Sequence, residues 1–489
     1  MRLISMFLIF IGYMFASSAS WMIKKFGNLT YEQIMFHADI PLDTDVRLIK
    51  SYFQNTVIIA VILVTILYFL TRKVNKKHCL ALASVFFVAA ICWTYQKLNI
   101  GSLLAERNNF NVTGNFYEEH YVEPKSVSIV APDKKRNLIM IFAESMESTY
   151  ANTEYFDDNI IPNLTALAEN NFHFSHNEGL GGFHNIKGAK YTMAAIVAQS
   201  CAIPLRLPIQ AARFRPKNGF LPGATCLYDV LAKDGYNLVF MQGTLKQSAG
   251  MDKFLTTHGN TQIFDWNYYS ERDHLSVNKV AKQKGKYASF FKRAIRDDKL
   301  FAYAKEKISE IVAEDKPFAF TLSTLDTHFG TEYFDSKNCV AKYHSEDFSD
   351  EHYFKNVVSC ADSKIADFVE WVKRQPFYEN TEIVVVGDHL TMGDVIFSDG
   401  MDRTVYNVYI NPLNEPDAGI TKNRQFTALD TMPTVLESMG YKIDGHKLGL
   451  GVSLMSGEKT LLEDGIGIDV LDTELDKQSR IYNKLLSGN

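Results

Sequence analysis

Two short polar pairs of residues each follow an apolar run of the chain. Glu144 and Ser145 come after NLIMIFA, and Asp388 and His389 come after EIVVVG. Ligands of open α/β sheets bind beyond the carboxyl ends of the strands, which is where these side chains are expected. Two carboxylates and one imidazole suit a divalent cation such as Zn²⁺ or Mn²⁺. Each pair alone is typical of a turn or a helix cap, but their joint placement at strand ends indicates a metal site.

A metal site of this kind needs a nucleophile. A hydroxyl bound to the cation loses its proton more easily and can attack phosphorus or sulfur. A sulfatase would offer a cysteine in the pattern C-x-P-x-R, but here Cys201-Ala-Ile-Pro204-Leu-Arg206 is out of register. Walker, Rossmann and G-x-S-x-G patterns are absent from the positions where chemistry would need them. A sulfatase reaction is therefore disfavoured.

The elements that must position these residues alternate along the chain. Short apolar runs alternate with segments of helical spacing over about 350 residues, which indicates one α/β domain with a mostly parallel sheet. The predicted strands are 137–143, 237–241, 317–323, 382–387 and 404–411. The predicted helices are 163–170, 191–199, 226–233, 300–313, 362–374 and 428–439.

The composition of the 489 residues excludes several classes of protein. With 46% apolar and 22% charged residues, the chain is neither disordered nor a collagen-like repeat nor a disulfide-dense miniprotein. A net charge of −5 provides no basic surface, so no nucleic acid partner is expected.

Three uncharged stretches lie in the first hundred residues, at about 3–22, 51–71 and 79–96. Each is long enough, at about 1.5 Å per residue, to cross a hydrocarbon core of roughly 30 Å. Buried helices of a soluble fold rarely lack charges on every face. The sequence therefore predicts three transmembrane helices.

The charges between these stretches predict the orientation. The short loop after the second stretch contains Arg72, Lys73, Lys76 and Lys77, which the positive-inside rule assigns to the cytoplasm. The acidic segment 24–50 and everything after about residue 100 are then expected outside. Residues 17–19, Ser-Ser-Ala, form an alternative signal-peptidase site. Cleavage there would remove the first stretch without moving the large domain to the other side.

The cysteines are consistent with that orientation. Cys201, Cys226, Cys339 and Cys360 all lie in the predicted outer domain, whereas the other two lie in the third apolar stretch. Four cysteines allow three pairings. Pairing in sequence order closes two short loops and is compatible with an oxidising compartment.

The order of several motifs resembles one known family. NLIMIFAESMEST, GAKYTMAAIVAQSCAIPL, TLSTLDTHF and IADFVEWVKRQPFYENTEIVVVGDHL are similar to the lipoteichoic acid synthase and phosphoglycerol transferase I family. The similarity covers about residues 130 to 460 and is closest to the branch that decorates periplasmic glucans with phosphoglycerol. That branch has cysteines at the four outer positions. The resemblance implies an alkaline phosphatase/sulfatase-like sandwich around a central, mostly parallel sheet.

The resemblance also implies roles for individual residues. The metal ligands would be Glu144, Thr192, Asp388 and His389, and they would hold one Mn²⁺, Zn²⁺ or Mg²⁺ ion. Thr192, which opens a predicted helix, would be the nucleophile rather than only a helix cap. His328, in the polar run after FAFTLS, would lie at the phosphate and bind an oxygen or protonate a leaving alkoxide. Further candidates for contacts to the substrate are Trp266, Arg272, Asp297 and Asp298.

The function expected from the resemblance is that of a membrane-bound phosphoglycerol transferase. It would move sn-glycerol-1-phosphate from phosphatidylglycerol to a periplasmic glycan or a lipid-linked saccharide through a covalent phospho-threonine. The alternatives are a phosphoethanolamine transferase acting on lipid A or a glycan, and an inactive membrane receptor or scaffold. The protein is expected in the bacterial inner membrane, with its catalytic domain in the periplasm. The expected division is an anchor at 1–97, a juxtamembrane connector at 98–135 and a catalytic domain at 136–489.

Overall fold

The computed structural model describes residues 1–26, 51–109, 112–206, 219–275, 293–329, 332–345, 351–392, 396–397 and 400–488. These residues belong to two compact units, Met1–Asn111 and Val112–Asn489. The predicted limits of the anchor, connector and catalytic domain, at residues 97 and 135, remain predictions.

The first unit contains the apolar helices. Its helices are α1 (Arg2–Phe26), α2 (Ile58–Leu70), α3 (Lys76–Lys97) and α4 (Ile100–Asn109), with a π-helical turn at Phe53–Val57 before α2. Among the described residues, three segments are long and apolar enough to cross a membrane: Arg2–Ile23, Phe53–Lys73 and Lys76–Lys97. The three predicted apolar helices are therefore confirmed. Most of the predicted outer segment 24–50 lies outside the described residues.

Close packing of α1 with α3 depends on a small residue. A Cβ added at Gly12 would lie 3.3 Å from Cα of Phe87, which is tighter than an ordinary contact, so glycine favours this close approach of the two backbones. At the other end of α1, the guanidinium of Arg2 donates hydrogen bonds of 2.9 to 3.0 Å to three carbonyl oxygens at the end of the second apolar segment. Carbonyl groups at the end of a helix lack the usual partners within it, and Arg2 supplies a donor to them.

The second unit is built on a six-stranded sheet. The strands of the unit are β1 (Ile129–Val130), β2 (Asn137–Ala143), β3 (Asn237–Gln242), β4 (Gln262–Phe264), β5 (Phe318–Ser323), β6 (Thr381–Gly387), β7 (Asn407–Ile410), β8 (Lys442–Ile443), β9 (Lys447–Leu448) and β10 (Gly451–Val452). The large sheet has the order β4-β3-β5-β2-β6-β7, and only β7 runs antiparallel to its neighbour. The predicted α/β fold with a central, mostly parallel sheet is confirmed.

Helices connect these strands. They are α5 (Phe116–His120), α6 (Pro162–Glu169), α7 (Thr192–Cys201), α8 (Leu227–Lys233), α9 (Met251–Thr257), α10 (Trp266–Arg272), α11 (Asp297–Val312), α12 (Glu351–Lys373), α13 (Thr431–Ser438), α14 (Ile468–Leu475) and α15 (Arg480–Ser487). Helix α12 begins eleven residues before its predicted start at 362. Its first half buries polar side chains such as Asn356 and Ser359, which hydrogen-bond to other segments and obscure the apolar spacing.

Both faces of the sheet are covered. Ile139 and Ile141 of β2 lie in one apolar cluster with Phe301 of α11 and Phe368 of α12. The alternate residues of β2 are buried as well, as expected for a parallel strand between two helical layers. Complete burial of each such side chain contributes roughly 1.5–3 kcal/mol relative to exposure.

The register of β2 and β6 places their ends at the same level. Asn137 pairs with Thr381 at the start of the strands, and Ala143 pairs with Gly387 at their end. The Asn137 side-chain amide donates a 3.2 Å hydrogen bond to the Thr381 hydroxyl, and its oxygen accepts one of 3.2 Å from the Phe318 backbone. The residues directly after the two strands therefore leave the sheet side by side.

The four outer cysteines form two disulfides, Cys201–Cys226 and Cys339–Cys360. This is the pairing in sequence order, and the predicted disulfides are confirmed. The first bond joins the last residue of α7 to the residue that caps α8.

Candidate active site

Glu144 and Asp388 begin the loops after β2 and β6. Between them lies Ser145, whose φ of 51° is a left-handed conformation that costs a non-glycine residue about 1–3 kcal/mol. In this conformation the Ser145 backbone N–H donates a 2.7 Å hydrogen bond to Asp388 Oδ1, and its hydroxyl donates one of 2.7 Å to Glu144 Oε1. The strained residue thus holds the two carboxylates together.

His389 completes a cluster of three possible metal ligands with Glu144 and Asp388. One ligand atom from each lies within 4.8 Å of the others, and all three side chains are buried. His389 Nε2 lies 3.6 Å from Glu144 Oε1 and 3.4 Å from Asp388 Oδ2. Its Nδ1 lies 2.7 Å from the Leu390 carbonyl oxygen, so Nδ1 carries the proton and Nε2 faces the carboxylates.

The donor set fits a divalent cation. Asp388 Oδ2 is buried and has no hydrogen-bond partner among the described residues. A buried carboxylate oxygen in that position requires a positive charge or a proton. Two carboxylates and one imidazole nitrogen are the ligands expected for zinc or manganese.

The charges in this cluster shift the pKa values of its side chains. Burial, followed by the charge of Glu144, raises the pKa of Asp388 to about 7. Burial also acts to raise the pKa of Glu144, but the imidazoles of His328 and His389 lower it overall. The pKa of His389 is raised in spite of its burial, because both carboxylates favour the imidazolium. A bound cation would relieve the repulsion between the two carboxylates.

Thr192 lies at the edge of the cluster, as the first residue of α7. Its hydroxyl oxygen is 3.1 Å from Glu144 Oε2 and 3.5 Å from His389 Nε2. The preceding residue, Tyr191, is extended and makes no side-chain cap to the first backbone N–H groups of α7, the end of the helix that carries Thr192. Such groups bind phosphate oxygens.

Gln199, a residue that the sequence did not point to, joins α7 to the loop that begins at Asp388. Its buried side-chain amide donates hydrogen bonds of 3.0 and 3.1 Å to the carbonyl oxygens of Gly387 and Asp388. The helix that carries Thr192 is therefore fixed to the backbone of one of the candidate ligands.

His328 follows β5, in a loop that contacts the backbone of Glu144. The Thr324 hydroxyl accepts a 2.9 Å hydrogen bond from the Glu144 N–H, and Thr327 donates to its carbonyl oxygen. Asp297, a predicted substrate contact, holds this loop by accepting hydrogen bonds from the N–H groups of Leu325 and Asp326. Burial and the neighbouring Asp326 raise the pKa of Asp297 to about 8.

The other predicted substrate contacts lie in different surroundings. Trp266 is 3% exposed and packs in the apolar cluster beneath the sheet. Arg272 forms ion pairs with Asp273 at 2.7 Å and Glu306 at 2.9 Å. Asp298 is exposed in the first turn of α11. A role for these residues in substrate binding remains a prediction.

A buried ion pair braces the loop after His389. Glu147 is completely buried, and its carboxylate accepts a 2.9 Å hydrogen bond from the Thr391 N–H and a 3.0 Å hydrogen bond from Nε of Arg403. Arg403 also donates a 2.9 Å hydrogen bond to the Thr391 carbonyl oxygen and lies over the ring of Phe397. Sequence reasoning missed this pair, because neither residue follows a strand.

Several curated proteins are similar to this chain in sequence. Phosphoglycerol transferase I of Escherichia coli O127:H6 is 32% identical over 342 residues, which are 70% of this chain and 41% of that protein. The chain thus spans about two fifths of the length of the curated relatives that it matches.

Solved structures show the same fold at low identity. The lipoteichoic acid synthase LtaP of Listeria monocytogenes is 16% identical, with a TM-score of 0.52 over 70% of this chain and 80% of that one. The lipooligosaccharide phosphoethanolamine transferase A of Neisseria meningitidis, an integral membrane protein, is 12% identical, with a TM-score of 0.50 over 89% of this chain and 84% of that one.

The family model described as Sulfatase matches residues 136–441, which contain every strand of the large sheet and all the candidate catalytic side chains. The predicted resemblance is confirmed by these matches. The chain belongs to the sulfatase family.

Proposed function

We propose that the protein is a phosphotransferase that moves sn-glycerol-1-phosphate from phosphatidylglycerol to a periplasmic glycan or a lipid-linked saccharide. The observation that carries the proposal is the Thr192 hydroxyl, which lies 3.1 Å from Glu144 at the start of a helix and beside the Asp388 and His389 ligand cluster. The relative that is 32% identical bears the name phosphoglycerol transferase I, which supports this choice of group.

One divalent ion, Mn²⁺, Zn²⁺ or Mg²⁺, would be held by Glu144, Asp388 and His389, with Thr192 as a fourth ligand. When bound, it would act as a Lewis acid that neutralises charge on the phosphoryl oxygens and lowers the pKa of the Thr192 hydroxyl. The buried Asp388 Oδ2, which has no hydrogen-bond partner among the described residues, supports a cation at this position.

The residues of the chain account for the remaining requirements of the reaction. Thr192 Oγ1 attacks phosphorus while Glu144 Oε2, which already accepts its hydrogen bond, takes the proton. The bond from phosphorus to the diacylglycerol oxygen breaks, and His328 protonates that oxygen. A glycerophospho-threonine remains. In the second half, His328 takes the proton of an acceptor hydroxyl as that oxygen attacks phosphorus, and Glu144 returns its proton to Thr192 as the bond from Thr192 to phosphorus breaks.

The N–H groups at the start of α7 orient the phosphoryl oxygens during both halves of the reaction. Gln199 holds this helix at a fixed distance from the ligand loop. Positioning of this kind supplies much of the acceleration in phosphoryl transfer.

The apolar helices would hold the protein at the membrane, where the phosphate donor, itself a lipid, is found. We propose that the protein spans the bacterial inner membrane, with the basic loop at 72–77 in the cytoplasm and the catalytic domain in the periplasm. Single cysteines at Asn75 and at Val470, which is 56% exposed, would test this orientation in a background without the free cysteines. In intact spheroplasts, an impermeant maleimide should label position 470 and not position 75. Labelling at 75 alone would contradict the orientation.

A mass measurement on the Thr192 peptide tests the proposed covalent intermediate. The purified full-length chain is incubated with phosphatidylglycerol vesicles and quenched, and the Thr192 peptide is searched for an added glycerophosphate, with Thr192→Ala as the control. A phosphoethanolamine adduct from phosphatidylethanolamine would instead support the phosphoethanolamine transferase. The absence of an adduct with either lipid would contradict both transferases and favour the inactive receptor or scaffold, against which the intact ligand cluster argues.

A further inference from the structure

Lys190 lies two residues before Thr192, in the loop that leads into α7. The intervening residue, Tyr191, is extended, with φ −151° and ψ 156°. Side chains on either side of an extended residue project from the same side of the backbone. The Lys190 side chain is 31% exposed, so a ligand from solvent can contact it.

The ion pair that holds Lys190 is loose. Its Nζ lies 3.8 Å from Asp472 Oδ2, which is beyond hydrogen-bond distance. Asp472 is fixed independently, because its Oδ1 accepts a 2.7 Å hydrogen bond from the Lys187 N–H. A partly exposed pair of this kind contributes little free energy. The ammonium can therefore exchange Asp472 for another anion without disturbing the loop.

The C-terminal helices keep that loop in place. Lys187 Nζ donates a 2.9 Å hydrogen bond to Asp476, just after α14. At the other end of α7, the Tyr482 hydroxyl of α15 donates a 2.8 Å hydrogen bond to the Pro204 carbonyl oxygen. Both ends of the helix that begins at Thr192 thus rest on residues 468–487, which lie beyond the segment matched by the sulfatase family.

The negative charge of the site favours a cation such as Lys190 next to the substrate. The cluster already contains the carboxylates of Glu144 and Asp388, and a phosphodiester adds a further negative charge. An ammonium group beside the nucleophile would offset this charge and strengthen through the transition state. We propose that Lys190 is a substrate-binding residue that leaves Asp472 to bind an oxygen of the phosphate group under transfer. This inference rests on the proposed function.

Inorganic phosphate is a suitable probe, because it tests the contact without turnover. The full-length chain in detergent is titrated with phosphate, and the affinity is measured from the rise in its unfolding temperature. Lys190→Met should weaken phosphate binding by about 10-fold to 100-fold, the usual effect of removing a charged hydrogen bond. Lys190→Arg should restore most of the affinity. Lys373→Met, which removes a partly exposed lysine paired with Glu370 at the end of α12, should bind phosphate as the wild type does.

Asp472→Asn separates a binding role from a structural one. The amide oxygen of asparagine can still accept the Lys187 hydrogen bond, while Lys190 loses its competing anion. Phosphate should then bind several-fold more tightly, whereas a purely structural role predicts weaker binding in both Lys190→Met and Asp472→Asn.

Equal phosphate affinity in the wild type and Lys190→Met would overturn the inference. So would weaker binding in Asp472→Asn. Release of diacylglycerol from phosphatidylglycerol by the wild type is measured in parallel. If that release is present while Lys190→Met binds phosphate normally, the inference fails and the proposed function stands. If it is absent, the proposed function fails whatever the phosphate titration shows.

Discussion

The hydroxyl of Thr192 donates a 3.1 Å hydrogen bond to Glu144, across a sequence separation of 48 residues. Thr192→Ala removes the proposed nucleophile and should lower diacylglycerol release on the order of 10³-fold or more. Thr192→Ser keeps the hydroxyl and should retain measurable release. Glu144→Gln keeps the shape of the side chain but removes its charge, and release should also collapse. Full release by Thr192→Ala would contradict the assignment.

Gln199 should affect metal affinity although it touches no ligand side chain. Gln199→Met removes the hydrogen bonds to the carbonyl oxygens of Gly387 and Asp388. Loss of such outer contacts lowers metal affinity by about 10-fold to 100-fold. Calorimetric titration of the metal-stripped protein with Mn²⁺ or Zn²⁺ measures this change. Ser200→Ala, at the next buried position, is the control, and an equal loss in both variants would contradict a specific role.

Breaking the buried pair of Glu147 and Arg403 should destabilise the second unit. Arg403→Met leaves the completely buried carboxylate of Glu147 without its cation, which costs about 3–5 kcal/mol. Adding Glu147→Gln to that variant removes the charge and should recover part of the loss. Denaturant unfolding of the wild type, the two single variants and the double variant gives the interaction free energy between Glu147 and Arg403. Strictly additive effects would show that the two side chains stabilise the unit independently.

The two disulfides should differ in their effect on activity. Replacing either pair by serine should cost about 2–5 kcal/mol of stability. Only Cys201–Cys226 closes the helix that begins at Thr192, so its loss should also slow diacylglycerol release at temperatures where the protein is still folded. The Cys339→Ser/Cys360→Ser variant, compared at the same distance below its own unfolding temperature, is the control. Equal slowing in the two variants would argue against a specific effect on α7.

Glu382 should make the second unit less stable as the pH rises. Burial raises the pKa of this carboxyl from 4.5 to about 8. The folded protein therefore binds more protons than the unfolded chain between these values. The contribution to stability is complete below pH 4.5 and is lost as the pH rises to 8, with a slope of at most ~1.4 kcal/mol per pH unit. Glu382→Gln should flatten that slope in unfolding measured at pH 5, 6.5 and 8, and parallel curves would contradict the assignment.

The sequence predicted the centre of the fold better than its edges. Strand β2 was predicted at its observed limits, 137–143, because both faces are apolar and a polar pair follows directly. The three-residue edge strand β4 was missed, since Gln262–Phe264 is too short for a pattern. Strand β7 was predicted too long, because Val405 forms isolated bridges to Glu147 and Phe183 instead of continuing the pairing with β6.

The same limit applies to the candidate site. Glu144, Asp388 and His389 were identified because each follows a strand. Gln199 could not be found in this way, since its partners lie 188 and 189 residues away. Asp472 is 285 residues from Lys187, and nothing in one sequence links the two. Long-range polar contacts that position the site are visible only once the chain is folded.

Most residues of the two strands that lead to the carboxylates are apolar on both faces, so the hydrophobic pattern alone specifies only weakly whether β2 slips past β6 by one residue. Such a slip would move Glu144 about 3.3 Å along the sheet from Asp388 and separate the ligands. Asn137 opposes this slip through its hydrogen bonds to Thr381 and Phe318 at the opposite end of the strands, about 20 Å away. A one-residue shift of either strand would therefore still place apolar side chains in the core, although on the opposite faces, and it would separate the candidate ligands. Asn137 thus helps to set the alignment of the candidate ligands from the opposite end of the sheet.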